Sequence, residues 1–137
     1  MSVFENGTMG VPRARWRGLD SVTRRLALKC SSPRAPVSTL SGGNQQKVLF
    51  ARWLLRDPEV FFLDDPTRGI DIAAKQDIYR VINELAAAGK GVILVSSELP
   101  ELLRCSDRIL VLRNGHQTAV YDAEEATPEQ IMSAATC

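Results

Sequence analysis

Apolar residues fall into short, separable blocks along the chain, and the spacing inside each block sets the element expected there. "LDSVTRRLALK" (19–29) puts Val22 and Leu26 four apart on one face of a short helix, with Asp20 or Ser21 as its N-cap. The two prolines of "CSSPRAPVS" mark the loop that follows. A helix is expected from about Gly43 to Arg56, stopping at "RDP" because a residue before proline is driven out of the α region. "EVFFLD" is a continuous apolar run too short for a helix and reads as a strand buried on both faces. Residues 71–88 set Ile78, Val81, Ile82 and Leu85 on one stripe, with Gly89 as the stop. "GVILVSS" reads as a second buried strand and "ELPELLRCS" as a short helix. Asn114-Gly115, between the two β-rich runs of "DRILVLRNGHQTAVYD", signals a hairpin. Thr127 as cap and Pro128 at the first helical position open a terminal helix over "TPEQIMSAAT". Strands alternating with helices, then a hairpin, predict an α/β fold whose sheet carries an antiparallel edge.

The bulk numbers narrow the class. A chain of 137 residues, 45% hydrophobic, is enough for one modest domain with an ordinary core. No apolar run approaches the roughly 18 residues of a membrane span. The start, "MSVFENGTMG", lacks the basic and then apolar segments of a secretory leader, so secretion is not expected. Cys30, Cys105 and Cys137 are odd in number, far apart and without metal-ligand spacing, and read as three free thiols in a reducing compartment. Net charge is +1, but residues 1–36 hold seven basic against two acidic side chains, and the remainder ten against fourteen. The basic run "PRARWRGLD" is a nucleic-acid contact or, more simply, a solvated face. The near-zero overall charge speaks against a dedicated nucleic-acid binder. His116, the one histidine, sits in "NGH" and reads as an exposed turn residue.

Two stretches carry candidate chemistry. In "TLSGGNQQKV", a serine and two glycines precede a helix. Either Ser41 caps that helix, or its N-terminus has been cleared of side chains so that an anion can sit against it. In "VFFLDDP", Asp64 and Asp65 end a strand, the edge at which open α/β sheets bind ligands. One carboxylate there can hold a Mg²⁺ shell while the other orients a water; the alternative is a turn with an N-cap.

Read together, "LSGGNQQKV" and "ARWLLRDPEVFFLDDPTRGID" resemble the ATP-binding cassette (ABC) ATPases, and the likeness runs from Leu40 to about Leu112. "SGGNQQK" and "PTRGID", with "SVFEN" and "ILVSSELPELLRCSDRILVL", are similar to the second cassette of the tandem subunits that power bacterial sugar importers. The resemblance implies a partial P-loop NTPase core with parallel strands, an antiparallel C-terminal hairpin and part of the helical subdomain. Residues 1–57 would be the partial helical subdomain, 58–126 the partial ATPase core, and 127–137 a C-terminal helix. It also implies ATP and Mg²⁺, a second cassette and membrane permease subunits as partners, a place at the cytoplasmic face of the membrane, and no nucleic acid.

By matching position, Ser41, Gly42 and Gly43 form the signature loop that presses on the γ-phosphate of ATP held by the other cassette, and Asn44, Gln45 and Gln46 line the dimer face. Asp64 is the Walker B carboxylate that positions Mg²⁺. Asp65 stands where the family normally has the glutamate that polarises the attacking water. The missing methylene retracts the carboxylate by about 1 Å, a misplacement that can cost roughly 100-fold in rate. Ser97 aligns with the switch histidine, and Asp71 with the D-loop aspartate that contacts the partner cassette and can also cap the helix after it.

No G-x-x-x-x-G-K-[ST] occurs in the 137 residues. The family places that Walker A loop, the Q-loop and the adenine-stacking aromatic upstream, so the chain resembles the C-terminal portion of one cassette. The family's strand into Walker A lies between those matching residues 91–96 and 108–113. Val92, Leu94, Ile109 and Val111 are therefore expected to line a gap, and the chain to self-associate or to be marginally stable. Two alternatives stand beside the importer: a soluble ABC protein of DNA repair or translation, and a non-catalytic interaction module that has lost its nucleotide site. "GNQQK" and "PTRGID" favour the importer.

Overall fold

The computed structural model describes residues 1–136; the thiol expected at Cys137 lies outside them. The chain divides into two compact units, Met1–Ile93 and the part from Leu94 onward.

The first unit opens with α1 (Val3–Thr8), an element that the hydrophobic pattern did not reveal. Its N-terminus is a capping box: Ser2 Oγ accepts from the Glu5 N–H at 3.2 Å, and the Glu5 carboxylate accepts from the Ser2 N–H at 2.7 Å. A 3₁₀ helix, Arg13–Gly18, runs directly into α2 (Leu19–Arg25). Gly18 is therefore the N-cap, in helical conformation and without a side-chain bond, and neither Asp20 nor Ser21 serves. A cap needs an extended residue, and the preceding 3₁₀ turn leaves none. The helix stops at Arg25 in a Schellman turn, in which Leu28 N–H reaches the Thr23 carbonyl and Ala27 N–H that of Arg24, both at 2.9 Å. Ala27 takes the left-handed position at φ 48°.

The basic run is used internally. Arg13 lies over the Trp16 ring, 5.6 Å from its centroid, and the Trp16 indole donates to the Val11 carbonyl at 2.9 Å. Arg15 donates to the carbonyls of Leu55 (3.3 Å) and Arg56 (2.9 Å), at the negative end of α3 (Gly42–Arg56). Helix α3 begins at Ser41, as the sequence reads, and stops before Pro58. Asp57 there turns left-handed (φ 51°, ψ 56°) rather than extended.

Strand β1 (Val60–Asp64) pairs in parallel with β2 (Gly91–Val95), and between them runs α4 (Ile72–Ala87). Ile78, Val81, Ile82 and Leu85 of α4 are buried, as are Val48, Phe50, Ala51 and Leu55 of α3. Gly89 takes the left-handed conformation just past the end of α4 (φ 81°). Strand β1 departs from the sequence reading. Phe61 and Leu63 are buried, but Val60 and Phe62 are 57% and 67% exposed. Only one face of the strand is covered by the described residues of this unit. A groove of about 370 Å³, lined among others by Leu49, Trp53, Val60, Phe62 and Asp64, runs alongside it.

The second unit holds α5 (Leu99–Cys105), the antiparallel hairpin β3 (Arg108–Arg113) and β4 (His116–Asp122), and α6 (Pro128–Thr136). Asn114 and Gly115 both have positive φ (52° and 78°), the two-residue turn that matches strand twist, and His116 is exposed beside it. Thr127 Oγ1 accepts from Gln130 N–H at 3.2 Å, and the Gln130 side chain accepts from Thr127 N–H at 2.9 Å, a reciprocal cap for α6. Ile109 and Val111 are buried against Ala123 and Ile131, while Leu110 and Leu112 point outward. They are thus core residues of their own unit and not the wet lining of a gap. Strand alternation decides this, because α6 covers one face of the hairpin. The hairpin forms a sheet of its own instead of the edge of a larger one, since no described strand pairs with both β2 and β3.

Candidate functional site

In the first unit the N-termini of α3 and α4 meet. Ser41 is extended (φ −60°, ψ 156°), and its Oγ accepts from the Asn44 backbone N–H (3.4 Å) and side-chain amide (3.0 Å). Both bonds use the oxygen's lone pairs, so the hydroxyl proton is not needed for either. The two glycines that follow are not equivalent. A Cβ on Gly42 would meet nothing nearer than the Gly69 carbonyl oxygen at 4.0 Å, so that backbone is open to a ligand. A Cβ on Gly43 would stand 2.7 Å from Ala74 Cβ and 3.3 Å from Asp71 Oδ2. Gly43 is buried, and its missing side chain lets α3 pack on α4. Asn44 and Gln45 brace the loop from behind. The Asn44 side-chain oxygen accepts from Lys29 N–H at 2.9 Å, and the Gln45 amide donates to the Leu40 carbonyl at 2.9 Å. Gln46 lines the groove beside Asp64.

At the tip of β1, Asp64 is exposed and Asp65 adopts φ 42°. Aspartate is among the few side chains that accept this left-handed region, so its presence where a glutamate is expected has a local conformational counterpart. The Asp65 carbonyl accepts from Arg68 N–H at 3.1 Å, closing a turn with Pro66 at its second position. The Arg68 guanidinium is 4.0 Å from the Asp65 carboxylate but 81% exposed, so water screens that pair.

The turn leads through Gly69 (φ 73°) to Asp71, whose carboxylate accepts from Ala74 N–H at 2.9 Å and caps α4. That backbone bond chiefly holds the Asp71 carboxyl below its ordinary value, with a smaller contribution from the Lys47 charge. Among the described residues no three His, Cys, Asp or Glu side chains converge as a metal cage. A single exposed carboxylate such as that of Asp64 suits Mg²⁺ chemically, because that ion keeps several waters and takes phosphate oxygens as further ligands. Ser97 lies exposed in the bend before α5, in the second unit.

One pair escaped the sequence reading. Lys47 is only 5% exposed; its Nζ lies 2.6 Å from an Asp77 carboxylate oxygen and 3.3 Å from the Ala27 carbonyl. The signal was available, because Gly43, Lys47, Ala51 and Leu54 share one helical stripe and a lysine within it must find a buried partner.

Residues 1–68 match the family described as ABC transporter. Over 99% of its length the chain is 46% identical to the xylose import ATP-binding protein XylG of Geobacillus kaustophilus, and 48% identical to the ribose import ATP-binding protein RbsA of Chromobacterium violaceum. It spans 29% of each of those relatives. Among solved structures, MJ1267, an ATP-binding cassette of an ABC transporter, superposes with a TM-score of 0.81 at 22% identity, covering 98% of this chain and 62% of that one. The dimeric structure of MJ0796, a bacterial ABC transporter cassette, gives 0.78 at 22% identity over 90% of this chain and 57% of the other. The fold is that of an ABC ATPase cassette, and the chain belongs to the ABC transporter family.

Proposed function

We propose that this chain is the signature-to-switch portion of an ATPase cassette in a subunit that couples ATP binding and hydrolysis to carbohydrate import. The observation that carries the reading is the Ser41–Gly42 edge, an exposed serine and an open backbone at a helix N-terminus, in a chain nearly half identical to xylose and ribose import ATP-binding proteins. Ser41 and Gly42 contact the γ-phosphate of a nucleotide held by a second cassette, and Asp71 faces that cassette. Asp64 holds Mg²⁺ through water, and Asp65 orients the attacking water, with Ser97 at the switch position. Membrane permease subunits are the further partners, at the cytoplasmic face. No helix among the described residues is long and apolar enough to cross a membrane. The bounds 1–57, 58–126 and 127–137 stand as the proposed division into helical subdomain, core and C-terminal helix.

Steady-state ATPase of a full subunit carrying these residues tests the reading. Ser41→Arg is expected to reduce turnover more than Asp65→Asn, because Asp65 already falls short in reach. The reverse order overturns the assignment. The 137-residue chain alone, with no phosphate-cradling glycine loop, is expected to bind Mg-ATP weakly in calorimetry. A micromolar dissociation constant would contradict that.

A further inference from the structure

The loops that open α3 and α4 are fastened to each other at two points one helical turn apart. In the first turn, Gly43 packs on Ala74 so closely that no Cβ fits between them. In the second, the buried Lys47 ammonium meets the Asp77 carboxylate at 2.6 Å and also donates to the Ala27 carbonyl. Residues 43 and 47 lie on one face of α3, and 74 and 77 on one face of α4. Sliding one helix along the other breaks the ion pair, and rolling it drives Gly43 away from Ala74. A lysine this deeply buried cannot tolerate loss of its partner, so the pair fixes position at least as much as it stabilises. The Asp77 carboxylate is also 3.7 Å from Nη2 of the half-exposed Arg80 guanidinium, and that same nitrogen donates to the Arg25 carbonyl at 2.7 Å.

We propose that Lys47 is a positioning residue that, with Asp77, locks the Ser41 loop and the Asp71 loop into one rigid body. The two loops then present a single surface to the partner cassette, and displacement of either is transmitted to the other. Lys47 touches no substrate; it acts through Ser41 and Asp71. The consequence for turnover rests on the ATPase reading above, whereas the mechanical coupling does not.

Spin labels at the exposed positions Ser38 and Arg68, in a full subunit freed of its other thiols, read the coupling directly. The inter-label distance is expected to be single and narrow in the parent and in Lys47→Arg, and to broaden in Lys47→Met and Asp77→Asn. The second of these nearly conserves side-chain volume, should the first fail to fold. In the same proteins, kcat is expected to fall about tenfold with the KM for ATP within about twofold, since misplacement and not binding is what changes. A distance distribution of unchanged width in both uncharged variants overturns the proposal. A parent subunit without ATPase whose distribution still broadens in the variants overturns the functional reading and supports the coupling.

Discussion

A first side-chain carbon built on Gly43 stands 2.7 Å from Ala74 Cβ, whereas on Gly42 it stands 4.0 Å from its nearest neighbour, the Gly69 carbonyl oxygen. The two glycines therefore fail in different ways. Gly43→Ala is expected to cost about 1–3 kcal/mol of stability through overpacking. Gly42→Ala is expected to stay within about 1 kcal/mol, because alanine suits a helix better than glycine does. Urea unfolding of the two variants separates them, and equal losses would refute the distinction. ATPase in the full subunit is expected to fall with Gly42→Ala even though stability does not.

Acid should loosen the first unit. Glu84 is held below its usual carboxylate range, first by the Arg25 hydrogen bond, Asp71 by the Ala74 N–H, and Glu5 by the Ser2 N–H. All three folded values lie below the unfolded ones of 4.5, 3.8 and 4.5, so the stability they supply is complete above about pH 5. It is lost as pH falls through the depressed values. Melting temperature followed from pH 6 to pH 3 is expected to fall, and Asp71→Asn to flatten part of that fall while keeping the cap. A melting temperature that rises on acidification would contradict the assignment.

Cys105 is expected to be a slow thiol. Desolvation pushes its pKa up to about 11, so at pH 8 only about one molecule in a thousand carries the reactive thiolate. Iodoacetamide at pH 8, followed by peptide mass mapping, should find Cys105 modified far more slowly than a free small-molecule thiol. Comparable rates would show that the site opens readily.

The uncovered face of β1 should make the 137-residue chain associate with itself. Val60, Phe62 and Ile93 are all at least half exposed on the β1–β2 sheet. Apolar surface so concentrated favours self-association. Light scattering over a range of concentrations is expected to show species above the monomer, and Phe62→Ser to shift them toward it. A strictly monomeric parent would show that this face is not adhesive.

What was legible in the sequence was local. Ser41 as a cap, the stop at Asp57-Pro58, the Asn114-Gly115 turn and the Thr127 cap each depend on a few neighbouring residues, and each stands in the structure. Helix α1 was legible too, in the Ser2-to-Glu5 spacing, but it is too short to show hydrophobic periodicity. The division of labour between Gly42 and Gly43 was not legible, because it depends on Ala74, some thirty positions away. The one-sided exposure of β1 was missed for a related reason. A continuous apolar run records that both faces suit burial, not that the chain at hand supplies both covers. Of the candidate site, the sequence offered the chemistry of Asp64, Asp65 and Asp71 but neither the left-handed backbone of Asp65 nor the buried partner of Lys47.

The hairpin turn at Asn114-Gly115 also bears on how the chain acquires its structure in time. Its strands meet across two residues, and α6 returns to them within a few more, so the second unit closes over very short loops. The first unit must join α1 to α3, as in the bond from Arg52 Nε to the Asn6 carbonyl across 46 residues, at a larger entropic cost of closure. Contacts of short sequence separation form faster, so the second unit is placed to order before the first.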